Sequence, residues 1–404
     1  MDTATPYLEG IRVLDFTQYL SGPTCTRLLA EMGAEVIKVE HPPYGDPTRP
    51  AEPRINRRSG YTIQQNRGKK SLCLDATTPQ GQQAILDLVP HVDIVVENFA
   101  PGVMARRGLA YEHLAPRNER LIMVSISGFG QTGPLRSKTA FDFIVQAFSG
   151  HMFLTGEPDG PPTMTGAAVV DGVAGVHAFA AIGHALFRRE RTGRGTSIDC
   201  SMLDSVFHLD ERTLWMHSMD EAVLPRRTGR NAEPAAPAGR FKGPQGYIVI
   251  YCLENQVRNL WAAMGRPELD QDPRFDTNPR RNDNRIELNA MIDGWLQTFP
   301  TDDDAVAVLE AHRVPAARVL TPLEAAAHPH LVERGTVRTV HDRLAGDVTV
   351  PGFPLRFADA PPAPDLQVAD LGQHNRDVLA GLLGYDDDRI AALERDGVLA
   401  SKDR

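Results

Sequence analysis

Short apolar runs alternate with segments of helical periodicity through the first half of the chain. Short runs bounded by turn residues are typical of buried strands, whereas apolar positions three and four apart indicate helices. The runs predict strands, and the periodic segments between them predict helices. The predicted strands are residues 11–16, 34–40, 71–75, 93–99 and 121–127, and the predicted helices are residues 21–33 and 78–89. Strands that alternate with helices predict βαβ units, a parallel sheet and right-handed crossovers.

The pattern changes beyond residue 170. An Ala-rich periodic segment predicts one long helix over residues 171–191, which ends at a basic turn. Residues 226–239 are rich in Pro, Gly, Ala and Arg without periodicity, so they predict a linker or an active-site loop. The remaining predictions are strands 197–200 and 246–253, helices 203–217, 257–264, 285–299, 302–312, 376–383 and 388–395, and a β-ribbon over 336–357.

The layout is Rossmann-like, but two nucleotide-binding motifs are absent. The first predicted strand is followed by ThrGlnTyrLeuSerGlyPro (17–23) rather than by GxGxxG. The chain also lacks a GxxxxGK[ST] loop. Both motifs cradle phosphates with glycine backbone at a helix N-terminus. Their absence argues against NAD binding and P-loop chemistry.

Composition and charge exclude several other classes. The chain has 404 residues, 42% hydrophobic and 24% charged, with a net charge of −9. Such a charge gives no basic surface for nucleic acid or an anionic membrane. No apolar run approaches the ~18 residues of a membrane span, and residues 1–10 lack a secretory signal. The cysteines, Cys25, Cys73, Cys200 and Cys252, have neither disulfide nor metal spacing. We therefore expect reduced thiols, no metal site and a cytoplasmic protein.

Four passages along the chain form a distinctive set. They are LeuAspPheThr…SerGlyPro…GlyAlaGluValIleLysValGlu (14–40), ValGluAsnPheAlaProGly (96–102), IleSerGlyPheGlyGln (126–131), and ThrGlyAlaAlaValValAspGlyValAlaGly (165–175) followed by ArgThrGlyArgGlyThr (191–196). In order and spacing these passages resemble the class III CoA-transferases, the family that includes formyl-CoA transferase and α-methylacyl-CoA racemase. Weaker similarity continues to the C-terminus.

The resemblance implies that Asp171 is a covalent nucleophile, because the catalytic aspartate of family transferases stands at this position. A carboxylate that attacks a thioester forms an anhydride, which stays activated. From local sequence alone, an Asp before an Ala- and Val-rich helix also fits a helix N-cap. The two interpretations are compatible, since a helix N-terminus stabilises an anion.

The resemblance also implies a coenzyme A site, with acyl-CoA as substrate and no tightly bound cofactor. Arg106 is the expected phosphate partner, because its guanidinium suits phosphate oxygens. The family contacts carry over to the carboxyl ends of the predicted strands, where open α/β sheets bind ligands. The substrate-binding candidates are Leu20, Ser21, His41, Leu74, Asp75, Asn98, Phe99, Ala100, Arg106, Lys138, Thr139, Phe141 and Asp142.

Several positions depart from the family pattern. Formyl-CoA transferase has Gln where this chain has Leu20, and Arg where it has His41. Together with Tyr19, Phe141 and Met202, Leu20 would form an apolar lining that favours bulkier or less polar acyl groups. Racemases have a His at the position of Phe141, which cannot carry a proton.

Two alternatives remain beside transfer. Glu254 matches a racemase glutamate, so a 2-methylacyl-CoA racemase is the alternative within the family. A non-catalytic acyl-CoA-binding protein is the alternative from another class, because fold does not fix function. The intact Asp171 argues against the second.

The predicted fold is α/β, with a large Rossmann-like domain and a smaller α+β domain. Residues 1–225 begin the large domain, residues 226–330 form the small domain with its preceding loop, and residues 331–404 return to the large domain. The resemblance implies an interlocked homodimer. The expected partners are acyl-CoA and carboxylate substrates, with neither nucleic acid nor membrane.

Overall fold

The computed structural model describes residues 5–359, 361 and 366–401, so the predicted domain limits at residues 1 and 404 lie outside the described residues. Contacts divide the chain into two compact units. The first unit comprises Met1–Gly150, Thr165–Trp215 and His330–Arg404, and the second comprises His151–Met164 and Met216–Pro329. Each unit therefore contains segments that are distant in sequence.

Each predicted strand is present, whereas the short strands Arg54–Ile55, Arg58–Ser59, Ala238–Lys242 and Ala316–Arg318 were not predicted. The strands are β1 (Arg12–Asp15), β2 (Glu35–Glu40), β3 (Arg54–Ile55), β4 (Arg58–Ser59), β5 (Lys70–Cys73), β6 (Ile94–Glu97), β7 (Ile122–Ser127), β8 (Thr196–Ser201), β9 (Ala238–Lys242), β10 (Tyr247–Tyr251), β11 (Ala316–Arg318), β12 (Val337–Asp342) and β13 (Gly346–Pro351).

Helices connect most of the strands, and short 3₁₀ turns add to them at Val89–His91, Ala115–Arg117, Glu254–Gln256 and Pro267–Gln271. The α-helices are α1 (Ser21–Glu31), α2 (Gly60–Asn66), α3 (Pro79–Leu88), α4 (Val103–Arg106), α5 (Tyr111–Leu114), α6 (Asp142–Phe148), α7 (His151–Leu154), α8 (Val169–Thr192), α9 (Met202–Phe207), α10 (Thr213–Met219), α11 (Val257–Ala263), α12 (Asn278–Asp283), α13 (Arg285–Leu296), α14 (Asp302–Ala311), α15 (Pro322–Ala327), α16 (Pro329–Glu333), α17 (Asn375–Leu383) and α18 (Asp387–Arg395).

A six-stranded parallel sheet organises the first unit, in the order β5-β2-β1-β6-β7-β8. This confirms the predicted α/β fold with a Rossmann-like sheet. The chain builds outward from β1 in one direction through β2 and β5, and in the other through β6, β7 and β8. The boundary between β1 and β6 is therefore the topological switch point, where open α/β sheets bind ligands at the carboxyl ends of their strands.

Alternating side chains of the sheet enter two separate cores. Val13 and Val36 lie on the face covered by α1 and α8, and both helices contribute buried apolar residues to that core. Leu14 and Ile37 lie on the opposite face, which is covered by α3 and by the C-terminal helices α17 and α18. The C-terminal segment thus completes the second helical layer of the sheet.

The second unit has its own hydrophobic core. Strands β9, β10 and β11 form an antiparallel sheet in the order β11-β10-β9. Buried side chains of the sheet, including Phe241 and Ile250, pack with Trp261, Leu288 and Leu309 from helices α11, α13 and α14. This is the predicted combination of helices with a small sheet.

Two helix predictions need correction. The predicted helix over 203–217 is interrupted, because α9 ends at Phe207 and α10 begins at Thr213. The Asp210 carboxylate accepts hydrogen bonds from the backbone N–H groups of Arg212 and Thr213, which starts the second helix separately. Helix α8 begins at Val169, two residues before Asp171, so Asp171 is not the N-cap.

Helix α8 is long and apolar enough to cross a membrane by length and composition alone. Its contacts give a different explanation, because Val170, Ala174, Ala178 and Ile182 are buried against the sheet. We therefore interpret α8 as a core helix of the first unit.

Close packing of α1 against α8 yields a stability prediction. A Cβ atom added at Gly175 would lie 2.5 Å from the Ser21 carbonyl oxygen and 2.7 Å from Thr24 Cβ, whereas one added at Gly183 meets nothing within 4 Å. We expect Gly175→Ala to lower the free energy of unfolding by about 1–3 kcal/mol through overpacking. Gly183→Ala, the matched control, should raise it by about 0.5–1 kcal/mol through helix propensity. Urea unfolding measures both, and equal effects would contradict this close packing.

Candidate functional site

The loops that follow β1 and β6 are joined side by side at the switch point. The Asn98 side chain accepts a hydrogen bond from the Gln18 backbone N–H at 2.8 Å and donates one to the Gln18 carbonyl at 2.8 Å. Its amide also donates to the Ser21 hydroxyl at 3.3 Å. Asn98 therefore fixes the loop that leads into α1, and it holds Ser21 at the switch point.

Asp171 lies in the first turn of α8, and a buried carboxylate from another helix holds that turn. Asp142, at the start of α6, accepts hydrogen bonds from the backbone N–H groups of Val170 at 2.8 Å and Asp171 at 3.0 Å. The Ala168 N-cap makes no side-chain cap hydrogen bond. Asp142 thus performs the capping that local sequence suggested for Asp171, and its carboxylate faces the backbone of α8.

A glutamine completes this cap. Gln146, one turn further along α6, donates from Nε2 to Asp142 Oδ1 at 2.5 Å and accepts from the Thr165 backbone N–H at 3.1 Å. Asp142 and Gln146 are both buried. Helix α6 is therefore hydrogen-bonded both to the segment before α8, at Thr165, and to the first turn of α8, at Val170 and Asp171.

The surroundings of Asp171 raise the pKa of its carboxyl group above that of an ordinary aspartate. Burial, followed by the negative charge of Asp142, raises the pKa of Asp171 to about 6, although a hydrogen bond with Ser21 opposes the shift. Tyr61 is a further neighbour, since burial and the Asp171 charge raise the pKa of its phenol to about 12. Asp171 is thus mainly ionised at neutral pH, yet it is more basic than an ordinary aspartate.

Two aromatic residues are neighbours of the site in sequence, Tyr19 two residues before Ser21 and Phe141 directly before Asp142. Tyr19 has a left-handed backbone with φ of 62°, and its ring meets Phe141 edge-on with centroids 6.3 Å apart. Both side chains are exposed, Phe141 at 63%. Leu20 lies between Tyr19 and Ser21 and is half-buried. Met202 differs from the expected lining, because it is buried in the core between the sheet and α8.

The predicted residues His41, Asp75 and Phe99 follow β2, β5 and β6, and Arg107, which was not among the predicted candidates, lies with them. His41 Nδ1 lies 3.4 Å from Asp75 Oδ1, and the Arg107 guanidinium lies over the Phe99 ring at 4.8 Å. Burial lowers the pKa of Arg107, although the negative charge of Asp75 opposes the shift. This group contains a cation, an imidazole and an aromatic face.

A buried glutamate supports the turn that carries Phe99. Glu97 accepts a hydrogen bond from the Phe99 backbone N–H at 2.8 Å. Burial raises the pKa of Glu97 to about 7. Sequence reasoning missed this residue, although a charged side chain at the end of an apolar strand was a visible signal.

The other predicted contacts lie at different depths. Leu74 has its side chain in the core, and its backbone N–H donates to the Glu40 carbonyl at 2.9 Å. Ala100, Arg106, Lys138 and Thr139 are exposed, and Lys138 lies 5.9 Å from the centre of the Phe148 ring. Within the described residues, no hydrogen bond or ion pair joins these four to Asp171.

Glu254 belongs to the second unit and has a partner there. Its carboxylate pairs with Arg281, whose guanidinium is buried and also donates to the carbonyl oxygens of Ala236 and Phe275. Glu254 itself is exposed. This ion pair gives Glu254 a structural explanation within its own unit.

A cavity of about 810 Å³ in the first unit contains none of the predicted site residues. Arginines line it, but carboxylates already engage several of them, as in the pairs Arg49–Glu40 and Arg58–Asp342. The described part of the chain also has no cluster of His, Cys, Asp and Glu suited to a metal ion. The switch point therefore remains the candidate site.

Comparisons with known proteins agree on one family. The model of CoA-transferase family III matches residues 8–375. The chain is 37% identical over 397 residues to the succinyl-CoA–D-citramalate CoA-transferase of Chloroflexus aurantiacus, covering 97% of this chain and 98% of that relative. It is 38% identical over 352 residues to the acetyl-CoA:oxalate CoA-transferase of Acetobacter aceti, covering 87% and 89%. The crystal structure of a CaiB/BaiF family protein from Brucella suis matches with a TM-score of 0.82 at 33% identity, covering 93% and 99%.

The raised pKa of Asp171 predicts a stability cost that depends on pH. Below the pKa of an unfolded aspartate, both states hold the proton and the cost is absent. As pH rises toward 6, only the unfolded state ionises readily, so stability falls until the folded pKa is passed. Asp171→Asn removes the charge. We expect it to raise the free energy of unfolding by about 1–3 kcal/mol at pH 8.

The same variant should change stability little at pH 4, where the wild-type carboxyl is protonated in the folded state. Urea unfolding of both proteins across this range measures the difference. A constant difference at all pH values would contradict a raised pKa of Asp171.

Proposed function

The chain belongs to CoA-transferase family III, and we propose that it moves coenzyme A from an acyl-CoA to a free carboxylic acid through covalent intermediates on Asp171. The observation that carries the proposal is the environment of this carboxylate. Asp171 lies at the N-terminus of α8, its backbone is held by Asp142, and its pKa is raised to about 6. A more basic carboxylate is a stronger nucleophile, and one with this pKa is still mostly ionised at neutral pH.

Two acyl exchanges on Asp171 load the enzyme. One carboxylate oxygen attacks the thioester carbonyl and expels the CoA thiolate, which leaves a mixed anhydride between the donor acyl group and Asp171. The thiolate then attacks the Asp171 carbonyl of that anhydride. The bond between the Asp171 carbonyl carbon and the bridging oxygen breaks. The donor acid leaves as a carboxylate that carries this oxygen, and an aspartyl-CoA thioester remains.

Two further exchanges release the product. The acceptor carboxylate attacks the aspartyl thioester and expels the thiolate, which forms a second anhydride. The thiolate then attacks the acceptor carbonyl, so the new acyl-CoA forms and the Asp171 carboxylate is regenerated. The α8 N-terminus supports this cycle because its partial positive charge stabilises the negative oxygen in each step.

The proposed substrates are small carboxylic acids and their CoA thioesters. The relatives named above act on succinyl-CoA with D-citramalate and on acetyl-CoA with oxalate, which supports small acids here. Leu20 and the exposed rings of Tyr19 and Phe141 support an acyl group less polar than oxalate. Asn98, Phe99 and Arg107 lie at the neighbouring strand ends and support CoA binding there. Arg106 is the proposed phosphate partner.

We further propose a cytoplasmic homodimer. Large apolar side chains are exposed on helices of the first unit, including Phe187 at 66% and Trp215 at 58%, and a second copy would bury them. The interlocked form of the dimer rests on the family resemblance. All four cysteines are buried free thiols, which fits a reducing compartment.

The nucleophile assignment predicts that both Asp171→Asn and Asp171→Ala abolish transfer, with a loss of at least about a thousandfold. CoA binding and folding should persist, since neither substitution touches Asn98 or the cap made by Asp142. Transfer of a labelled acid into acyl-CoA, together with calorimetric CoA binding, measures the two effects. More than trace activity in Asp171→Asn, with deamidation excluded by mass spectrometry, would make the covalent role wrong.

Solvent exchange distinguishes transfer from racemisation in the same preparation. Racemisation needs a base on each side of the α-carbon, whereas Phe141 offers none. A 2-methylacyl-CoA incubated with the enzyme in heavy water should gain no α-deuterium. Rapid α-deuterium incorporation without transfer to any acid would favour the racemase instead.

Phosphate recognition gives a separate prediction. Arg106 is exposed and has no ion-pair partner among the described residues, so its guanidinium is available. Arg106→Ala should raise the KM for acyl-CoA about 10- to 100-fold while changing kcat little, because the phosphates are remote from the reacting carbonyl. Arg117→Ala is the matched control, since Arg117 is an exposed arginine near the amino end of β7. Steady-state kinetics measures both, and equal KM values would place the phosphates elsewhere.

A further inference from the structure

Buried charges lie beneath the loop over residues 17–21, and the proposed mechanism does not use them. We name them the charged tetrad: Asp15, Lys38, Asp46 and Lys69. All four side chains are nearly inaccessible to solvent, with at most 3% exposed. Burying charges is costly even when they are paired, so such a group is weak evidence for added stability. Its contacts with the loop suggest another role.

One ion pair of the tetrad holds the loop through its backbone. Lys38 Nζ lies 2.9 Å from Asp46 Oδ2 and donates a hydrogen bond to the Thr17 carbonyl at 2.5 Å. Asp46 Oδ1 lies 3.5 Å from the Tyr19 backbone nitrogen and accepts from the Thr48 N–H at 2.9 Å. The pair therefore contacts the backbone on both sides of Gln18.

The other ion pair holds the start of the loop. Lys69 Nζ lies 3.0 Å from Asp15 Oδ2. Asp15 Oδ1 accepts hydrogen bonds from the Thr17 backbone N–H at 2.8 Å and the Thr17 hydroxyl at 2.6 Å. The attraction of Lys69 and Lys38 overcomes burial and lowers the pKa of Asp15 to about 2, which keeps this acceptor ionised.

The backbone of the loop contains a strained residue that its surroundings must hold in place. Tyr19 has a left-handed backbone, which costs a non-glycine residue free energy unless its surroundings fix it. The loop ends at Ser21, whose carbonyl oxygen lies against Gly175, one helical turn beyond Asp171 on α8. The Ser21 hydroxyl favours the ionised form of Asp171. A shift of the loop would therefore move the Ser21 hydroxyl away from Asp171, the proposed nucleophile.

We propose that the charged tetrad positions the nucleophile by holding the 17–21 loop so that the Ser21 hydroxyl stays against Asp171. The tetrad does not touch substrate in this role, so its members are positioning residues. The inference rests on the proposed function of Asp171 as nucleophile. It extends that function by assigning the orientation of the carboxylate to buried charges on β1, β2 and the segments that follow β2 and α2.

A charge-balanced double variant, Lys38→Met with Asp46→Asn, tests the role. Loss of the Ser21 hydrogen bond removes the interaction that lowers the pKa of Asp171, so the pKa should rise further. The direct influences on Asp171 are burial, Asp142 and Ser21, and the lost pair is neutral overall. We expect the acid limb of the pH profile of kcat to move to higher pH by about half to one unit. A shift of this size corresponds to the free energy of one hydrogen bond. We also expect kcat to fall about tenfold or more, with a smaller change in KM.

Non-additivity separates positioning from general destabilisation. Ser21→Ala should shift the acid limb in the same direction, and adding the double variant to Ser21→Ala should shift it no further. The matched control is Arg189→Met with Asp93→Asn, an ion pair at 2.9 Å that lies roughly 27 Å along α8 from Asp171 at 1.5 Å per residue. This control should lower Tm without moving the acid limb.

An activity-independent titration keeps this inference distinct from the proposed function. In protein labelled with ¹³C-aspartate, the infrared band missing from Asp171→Asn reports the Asp171 pKa directly. A raised pKa in the double variant supports positioning even if Asp171→Asn retained transfer activity, which would overturn only the nucleophile. An unchanged Asp171 pKa, or full additivity with Ser21→Ala, would overturn positioning. If the double variant does not fold, Thr17→Val removes only the hydroxyl donated to Asp15, and it should give a smaller shift in the same direction.

Discussion

The buried carboxylate of Asp142 accepts hydrogen bonds from two consecutive backbone N–H groups at the start of α8, and the candidate site depends on that contact. The contact decides where the helix begins, since the Ala168 N-cap offers no side-chain hydrogen bond. It also leaves the Asp171 side chain available, because another residue performs the capping. A residue that caps its own helix has its carboxylate engaged by the backbone, which would compete with attack on a thioester.

Opposing electrostatic influences act on Asp171. The helix N-terminus and Ser21 favour the anion, whereas burial and the Asp142 charge disfavour it, and the second group prevails. The resulting pKa of about 6 lies closer to neutral pH than that of a free aspartate. Such a carboxylate is ionised where the enzyme would work, yet it retains more basicity toward a carbonyl carbon. The cost appears in stability, as is common at functional sites.

The sequence predicted the parallel sheet well, because buried parallel strands are short apolar runs and their helices have clear periodicity. The boundaries of β2 and β7 came within one residue of their predicted limits. The break between α9 and α10 was missed, since the backbone contacts of Asp210 leave little trace in periodicity. Asp171 and Ser21 were identified from resemblance alone, whereas local pattern suggested a helix cap.

The buried charges were harder to predict. Asp15 and Lys38 interrupt apolar strands, which signals a buried polar role, but partners such as Lys69 are separated from them by many residues. Pairings of this kind depend on the strand order, in which β1, β2 and β5 are neighbours. The cap on α8 depends likewise on a contact between residues 142 and 171. Periodicity describes single elements, so it does not reveal which polar side chains meet across them.

The covalent role of Asp171 is the central claim, and oxygen tracing tests it most directly. In the proposed cycle, the acceptor oxygen that attacks the aspartyl thioester remains on Asp171 when the thiolate takes the acceptor acyl group. After a single turnover with an acceptor acid labelled with ¹⁸O in its carboxylate, mass spectrometry of the peptide containing Asp171 should therefore show a gain of one ¹⁸O, absent without acyl-CoA. Efficient transfer to the labelled acid with no ¹⁸O in that peptide would contradict the account.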